Sequence, residues 1–319
     1  MTMMRSFLAV ACAGAVLLTA RAEQVVAITQ IVAHPALDAA YKGVLDELAE
    51  AGYQDGGKIR VVHEIAQGDQ AIATQIAKKF AGDKPAVIVA ISTPSAQSVA
   101  AAARDIPIVF TAVTDPVAAK LVDNLDKPGK NITGYSDAVA TEDSVAMVQK
   151  ILPEAKKIGT IYNPGEANSV AAIEALEKVA TDKGLTLLKA PANKSAEVLD
   201  AARSLQGKAD ALLITTDNTV ASALPAVIQA GEKGKLPVFT VDTSSVEQGA
   251  IAAVGFGYYD LGRATGKQVA QILGGTAAGD IPVGFMKAED LYLNPKAAEK
   301  MGVAIPDAVR QSASKIVGE

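Results

Sequence analysis

The chain has 319 residues, a formal net charge of −5, 50% hydrophobic residues, two His, one Cys and no Trp. That is enough chain for two compact domains. The acidic balance argues against a general nucleic-acid binder, and two His with one Cys leave almost nothing from which to build a zinc cage.

Arg5 precedes a run over 6–18 in which every residue is apolar or small, and the run closes on Thr19-Ala20-Arg21-Ala22. A basic start, a short apolar stretch and a small-x-small site spell a secretory signal over 1–22, with cleavage after Ala22. The run is too short to span a bilayer, which needs about 20 residues. Cys12 lies inside it, with Ala9 where a lipoprotein signal would carry Leu, so lipidation is the minor reading. Removing Arg5 and Arg21 leaves 28 basic residues against 35 acidic ones, a net charge of −7, and a mature chain without thiols. An extracytoplasmic, periplasmic location follows from this reading.

Beyond the signal, Val- and Ile-rich runs alternate with amphipathic stretches. The first set of runs covers 25–32, 58–65, 86–91 and 106–112, and the second covers 157–162, 185–190, 211–215 and 237–241. Leu37, Ala40, Tyr41, Val44, Leu45 and Leu48 share one face of a helix closed by Gly52. Val170, Ile173, Leu176 and Val179 repeat the pattern before Gly184, and Gly231 is expected to close a helix over 220–230. Strands that are apolar along their length and flanked by helices predict parallel sheets covered on both faces. The fold class is therefore α/β, two doubly wound parallel-sheet lobes joined by a hinge with several crossings. Seams fall near 131–137 and 249–257, and a helix over 259–273 follows. The division is a signal at 1–22, an N-terminal lobe of 23–134 and 254–280, and a C-terminal lobe of 135–253 and 281–319.

Ligands of open parallel sheets bind beyond the carboxyl ends of the strands. Polar residues collect at those ends in both sets. The first set supplies Gln30, Ser92, Thr93, Gln97, Thr111, Thr114 and Asp115. The second supplies Asn163, Glu166, Ser169, Thr216, Asp217, Asn218, Asp242, Ser244 and Ser245. Helix capping is the ordinary role of any one of them, and their recurrence in both lobes is what points to a ligand. Ser92, Thr93 and Ser95 in the stretch 92–95, Ser244, Ser245 and free helix N–H groups suit a carboxylate, while Asp115, Glu166, Asp217 and Asp242 suit an ammonium. Together they suit a zwitterion. The lack of Trp disfavours a sugar, since pyranose rings commonly stack on indoles. Phe110, Tyr135, Tyr162, Phe256 and Tyr258 fall near strand ends or crossings as core or pocket wall.

Gly255-Phe256-Gly257 followed by Tyr258-Tyr259-Asp260 is an imperfect dinucleotide loop, better read as an interlobe crossing. His34 reads as a helix-start or cleft-edge residue rather than part of a triad, and His63 as an edge position. No metal site, cofactor site or convincing nucleophile–base pair emerges.

The strings His34-Pro35-Ala36-Leu37-Asp38, Thr93-Pro94, 111–116, Tyr162-Asn163-Pro164-Gly165-Glu166 and 242–249 resemble the solute-binding proteins of ABC uptake systems. Within these, the branch with tryptophan- and other aromatic-amino-acid-binding members is the more similar. The resemblance covers essentially the whole mature chain. It implies a type I periplasmic-binding-protein fold, no catalysis, and a small ligand, an amino acid, held between lobes by a monomer that delivers it to membrane permease subunits. It also implies that the Thr93, 111–115, 166–169, Asp217 and Asp242 segments face the cleft. Two other classes keep the same residues in play: a ligand-sensing protein that reports to a membrane receptor, and an exported α/β enzyme.

Overall fold

The protein is described by a computed structural model covering residues 23–287 and 290–318. The expected signal over 1–22, with Cys12, lies outside the described residues.

The first lobe begins β1 (Gln24–Gln30), α1 (Pro35–Glu50), β2 (Ile59–Ile65), α2 (Gln70–Asp83), β3 (Val87–Ile91), α3 (Thr93–Ala102), β4 (Ile108–Thr111) and β5 (Ile132–Ser136). The second lobe runs α4 (Thr141–Ile151), β6 (Lys157–Tyr162), α5 (Ala167–Asp182), β7 (Thr186–Pro191), α6 (Val198–Ser204), β8 (Ala211–Ile214), α7 (Asn218–Ser222), α8 (Leu224–Gly234), β9 (Val238–Thr240), α9 (Ser244–Glu247) and β10 (Ala252–Gly255). The chain then returns to the first lobe with α10 (Tyr258–Leu273) and β11 (Gly284–Phe285). It ends in the second with β12 (Asp290–Leu293), α11 (Pro295–Lys300), α12 (Asp307–Gln311) and β13 (Lys315–Ile316).

The strand orders are β11-β5-β4-β3-β1-β2 and β13-β12-β10-β9-β8-β6-β7. Pairing is parallel throughout except between β10 and β12. β3, Val-Ile-Val-Ala-Ile, is buried along its whole length, as a strand covered on both faces must be. Each lobe has its own apolar core. With all parallel strands of a sheet pointing one way, the carboxyl ends of both sheets meet at the cleft.

The chain changes lobe at 137–140, at 256–257 and after Phe285. The expected boundaries at 134/135, 253/254 and 280/281 therefore shift. Residues 135–136 belong to β5, 254–255 to β10, and 284–285 pair with β5 in the first sheet. Gly134, inside the seam expected over 131–137, lies within a strand. It is in β5 with φ +158°, where a Cβ would meet the carbonyl of Phe110 at 2.1 Å and its ring at 2.5 Å. Residues 220–230 are likewise not one helix, since α7 ends at Ser222 and α8 restarts at Leu224-Pro225. Gly231 lies inside α8 rather than after it. A side chain there would run into Val238 of β9 at 2.6 Å, and the left-handed cap is Lys235.

One seam fixes the cleft face of the first lobe. α1 and α10 approach so closely that a Cβ on Gly43 would stand 2.1 Å from the Tyr259 carbonyl, and one on Gly262 2.1 Å from that of Ala40. Arg263 ties the two helices through ion pairs of 2.8 Å to Glu47 and 2.5 Å to Glu50. The N-terminal ends of both helices, at His34 and Tyr258, stand at the cleft.

Candidate ligand site between the lobes

The loops at the carboxyl ends of β1, β4, β8 and β9, the first turns of α1, α5 and α10, and the first crossing line a cavity between the lobes. Its wall contains three aspartates, Asp137, Asp217 and Asp242, and no Lys or Arg.

At the hinge end, Asp137 follows β5 in the first crossing. Tyr258, which opens α10 after the second crossing, donates its phenol hydroxyl to Asp137 Oδ2 at 2.8 Å. Asp137 Oδ1 is buried with no partner. Burial holds the Asp137 carboxyl above the usual carboxylate range, and nearby Asp242 adds to the shift. The Tyr258 hydroxyl is pushed well up by burial and by Asp137. Asp242 accepts from Ser244 N at 2.9 Å and from the hydroxyls of Ser244 and Ser245 at 2.8 Å each.

At the mouth end, Asn218 lines both this cavity and the open interlobe groove beside it. His34 is the N-cap of α1 without a capping side-chain bond, and its Nε2 is buried and unpartnered. Burial lowers its pKa, against the pull of Asp242 and a hydrogen bond with Asn218. Asn168, in the first turn of α5, donates Nδ2 to Glu166 Oε2 at 3.1 Å and to the Thr216 carbonyl at 2.8 Å. Its Oδ1 is buried and unpartnered. The remaining wall is apolar, with Ala36, Leu37, Ile214, Ala221 and Leu224.

A second acid pair supports the floor. Glu166 accepts from the backbone N–H groups of Asn218 and Thr219 and from the side chains of Asn168, Asn218 and Thr219. Asp217 accepts from Asn163 N and Ser169 Oγ at 2.6 Å each and from Val220 N at 2.8 Å. Burial and the neighbouring Glu166 carboxylate push Asp217 up to about 7.

Of the residues expected at the ligand, Thr114, Thr216, Asp217, Asn218, Asp242 and Ser245 stand in the wall. Asn163, Glu166, Ser169 and Ser244 stand behind it, holding those that do. Four others are engaged elsewhere. Gln30 donates to the Val32 carbonyl and Asp38, Thr111 accepts from Thr265, and Gln97 donates to the Ala119 carbonyl. Asp115 caps its own turn at Val117 and Ala118, so its expected pairing with an ammonium is replaced by local capping. Ser92 and Thr93 are not in the cavity wall, although their hydroxyls, with that of Ser95, are buried without partners at the start of α3. Ser92 holds φ +82° and Ala112, in the wall, φ +54°. Non-glycine residues adopt such values uncommonly.

Sequence reasoning did not select Asp137 or Asn168, and it gave His34 and Tyr258 only generic places at the cleft. Asp137 hides behind Gly134, which masks β5. Asn168 lay inside the 166–169 stretch, but its role depends on an oxygen left over after its N–H groups are used.

The lobes touch directly across the cleft, with Thr114 Oγ1 and Thr216 Oγ1 3.0 Å apart. Residues 25–317 match the family model described as ABC transporter substrate binding protein. A curated relative, the tyrosine-binding protein of Clostridioides difficile (strain R20291), is 40% identical over 269 residues, covering 84% of this chain and 78% of that one. A crystal structure from Streptococcus pneumonia, an ABC domain in complex with L-Trp, superposes with a TM-score of 0.89 at 34% identity, covering 92% of this chain and 100% of that one. A ligand-free, open substrate-binding protein from Clostridium difficile gives a TM-score of 0.69 at 39% identity, covering 93% and 100%. The more identical chain is the poorer superposition. The lobes here are thus arranged more as in the L-Trp complex than as in the open protein, in keeping with the Thr114–Thr216 contact.

Proposed function

The chain belongs to the ABC transporter substrate-binding protein family, and we propose that it captures an aromatic amino acid outside the cytoplasm and passes it to a permease without chemical change. The observation that carries this reading is Asp137 Oδ1, a buried carboxylate oxygen without a partner, beside Asp242 in a cavity walled by both lobes and free of Lys and Arg. An ammonium between Asp137 and Asp242 supplies the missing donor and offsets two negative charges. The ligand's carboxylate is met by N–H groups and hydroxyls rather than by a cation. The start of α3, with the unpaired hydroxyls of Ser92, Thr93 and Ser95, supports that end of the reading. It lies one strand from Ala112 in the wall, with Ser92 N bonded to the Thr111 carbonyl at 2.8 Å. The apolar wall suits an aromatic ring, as do relatives whose names refer to tyrosine and L-Trp. Because both lobes contact the ligand only when closed, binding stabilises the closed arrangement. Cleavage after Ala22 would release the protein to the periplasm.

The test is thermal unfolding of the mature protein with each of the twenty amino acids, common sugars and purines. Aromatic amino acids should raise the midpoint by the equivalent of about 2.7 kcal/mol at a hundredfold excess over Kd. No shift with any amino acid overturns the assignment, and recovery of a chemically altered ligand overturns the transport role.

A further inference from the structure

The cavity has a second unsatisfied acceptor, and the two together describe the ligand more narrowly than the family does. Asn168 is buried, and both N–H groups of its amide are committed, to Glu166 Oε2 and the Thr216 carbonyl. These bonds fix which way the amide faces, so the oxygen left bare is an acceptor. His34 Nε2, also buried and bare, is in the same wall. Asp137 is held at the hinge by Tyr258, whereas Asn168 is bonded to Glu166, which lines the open groove at the mouth. The cavity thus offers two bare acceptors, Asp137 in the first crossing and Asn168 on α5 of the second lobe, and an apolar wall besides.

We propose that Asn168 Oδ1, assisted by His34, reads a hydrogen-bond donor at the tip of the ligand's side chain, so that the protein selects tyrosine or tryptophan against phenylalanine. This rests on the amino-acid reading above, with the ammonium at Asp137. A phenol O–H or an indole N–H satisfies the Asn168 oxygen. A benzyl side chain leaves it buried and unpaired, which is how polar sites reject apolar isosteres far more strongly than apolar pockets reject polar ones.

The experiment is calorimetric titration of the mature protein with L-tyrosine, L-tryptophan, L-phenylalanine and 3-benzothienyl-L-alanine, in which sulfur replaces the indole N–H at nearly constant shape. Tyrosine or tryptophan should bind at least about thirtyfold more tightly than phenylalanine. If tryptophan binds, the benzothienyl analogue should lose at least about tenfold relative to it. In Asn168→Ala the preference should collapse, with phenylalanine binding at least as tightly as to the wild-type protein and tyrosine or tryptophan losing their advantage. Equal affinities for phenylalanine and the better of the other two in the wild-type protein overturn the proposal but leave the amino-acid reading standing. So does an unchanged preference in Asn168→Ala. If none of the amino acids binds, the amino-acid reading fails and takes this proposal with it. Should Asn168→Ala not fold, the wild-type comparison decides alone.

Discussion

Two pairs of acids face the cleft, and their surroundings differ in one decisive respect. Glu166 and Asp217 are saturated by donors from their own lobe: helix N–H groups, asparagine amides and hydroxyls. Asp242 is likewise met within its own lobe, by Ser244 and Ser245, whereas Asp137 takes its donor from Tyr258 beyond the second crossing and has one oxygen with none. Residue type does not separate the pairs, since all four are acids at strand ends or crossings. Completeness of hydrogen bonding sets Asp137 apart from the other three. A saturated buried carboxylate is a structural joint, and an unsaturated one is an invitation to a ligand.

The largest effect that would break this contrast concerns Asp137. Asp137→Asn should weaken an aromatic amino acid at least about thirtyfold, since truncating one partner of a buried charge pair costs about 2 kcal/mol or more. The unfolding midpoint without ligand should barely move. Retained affinity would erase the distinction between Asp137 and the other three acids. A pH series sharpens the same point. Burial raises the Asp137 pKa in the empty site, and a bound ammonium lowers it, so capture releases a proton. Affinity should rise with pH through the empty-site pKa and level off above it, a dependence that Asp137→Asn removes.

Asp217→Asn is expected to do the reverse. Placing an amide against Asn163 N, Ser169 Oγ and Val220 N should cost about 2–3 kcal/mol of stability without ligand, read by denaturant unfolding. Asp217 titrates near 7 in the folded chain against 3.8 for the free group. The native state therefore binds its proton more tightly than the unfolded state. The stability this contributes is complete below the unfolded value and is lost as pH rises to about 7. The variant should lack that part of the slope between about pH 4 and pH 7. An unaltered slope would deny Asp217 its role as a joint. The smallest effect belongs to the interlobe contact: Thr114→Val should lower affinity about two- to tenfold, from the ~0.5–1.5 kcal/mol of one neutral hydrogen bond. Solution scattering without ligand should show a more open molecule.

The fold was largely legible because buried parallel strands announce themselves as apolar runs: the expected 157–162 is β6, and 25–32 contains all but the first residue of β1. β5 was hidden because Gly134, needed where the Phe110 ring packs, reads as a break. The cavity wall was legible at Thr114, Thr216, Asp217, Asn218, Asp242 and Ser245, whose position just beyond a strand end is a local property. It was not legible at Asp137 or Asn168. What marks them is an oxygen left without a donor after all neighbours are placed, and this is a property of the assembled molecule. The same accounting places Asp115 and Gln97 outside the site, because nearby backbone already satisfies them.

The glycine seam between α1 and α10 also carries a consequence for the order in which the molecule can be built. Arg263 and Glu50, paired across it, are 213 residues apart in the chain. A nascent chain ending at Ser136 holds five of the six strands of the first sheet, but not the helix that covers it against β3 and β4. Leu261, Val269 and Ile272, which close that core, are made only after nearly all of the second lobe. The lobe begun first thus stays unfinished, with its apolar face open, while most of the other lobe is translated.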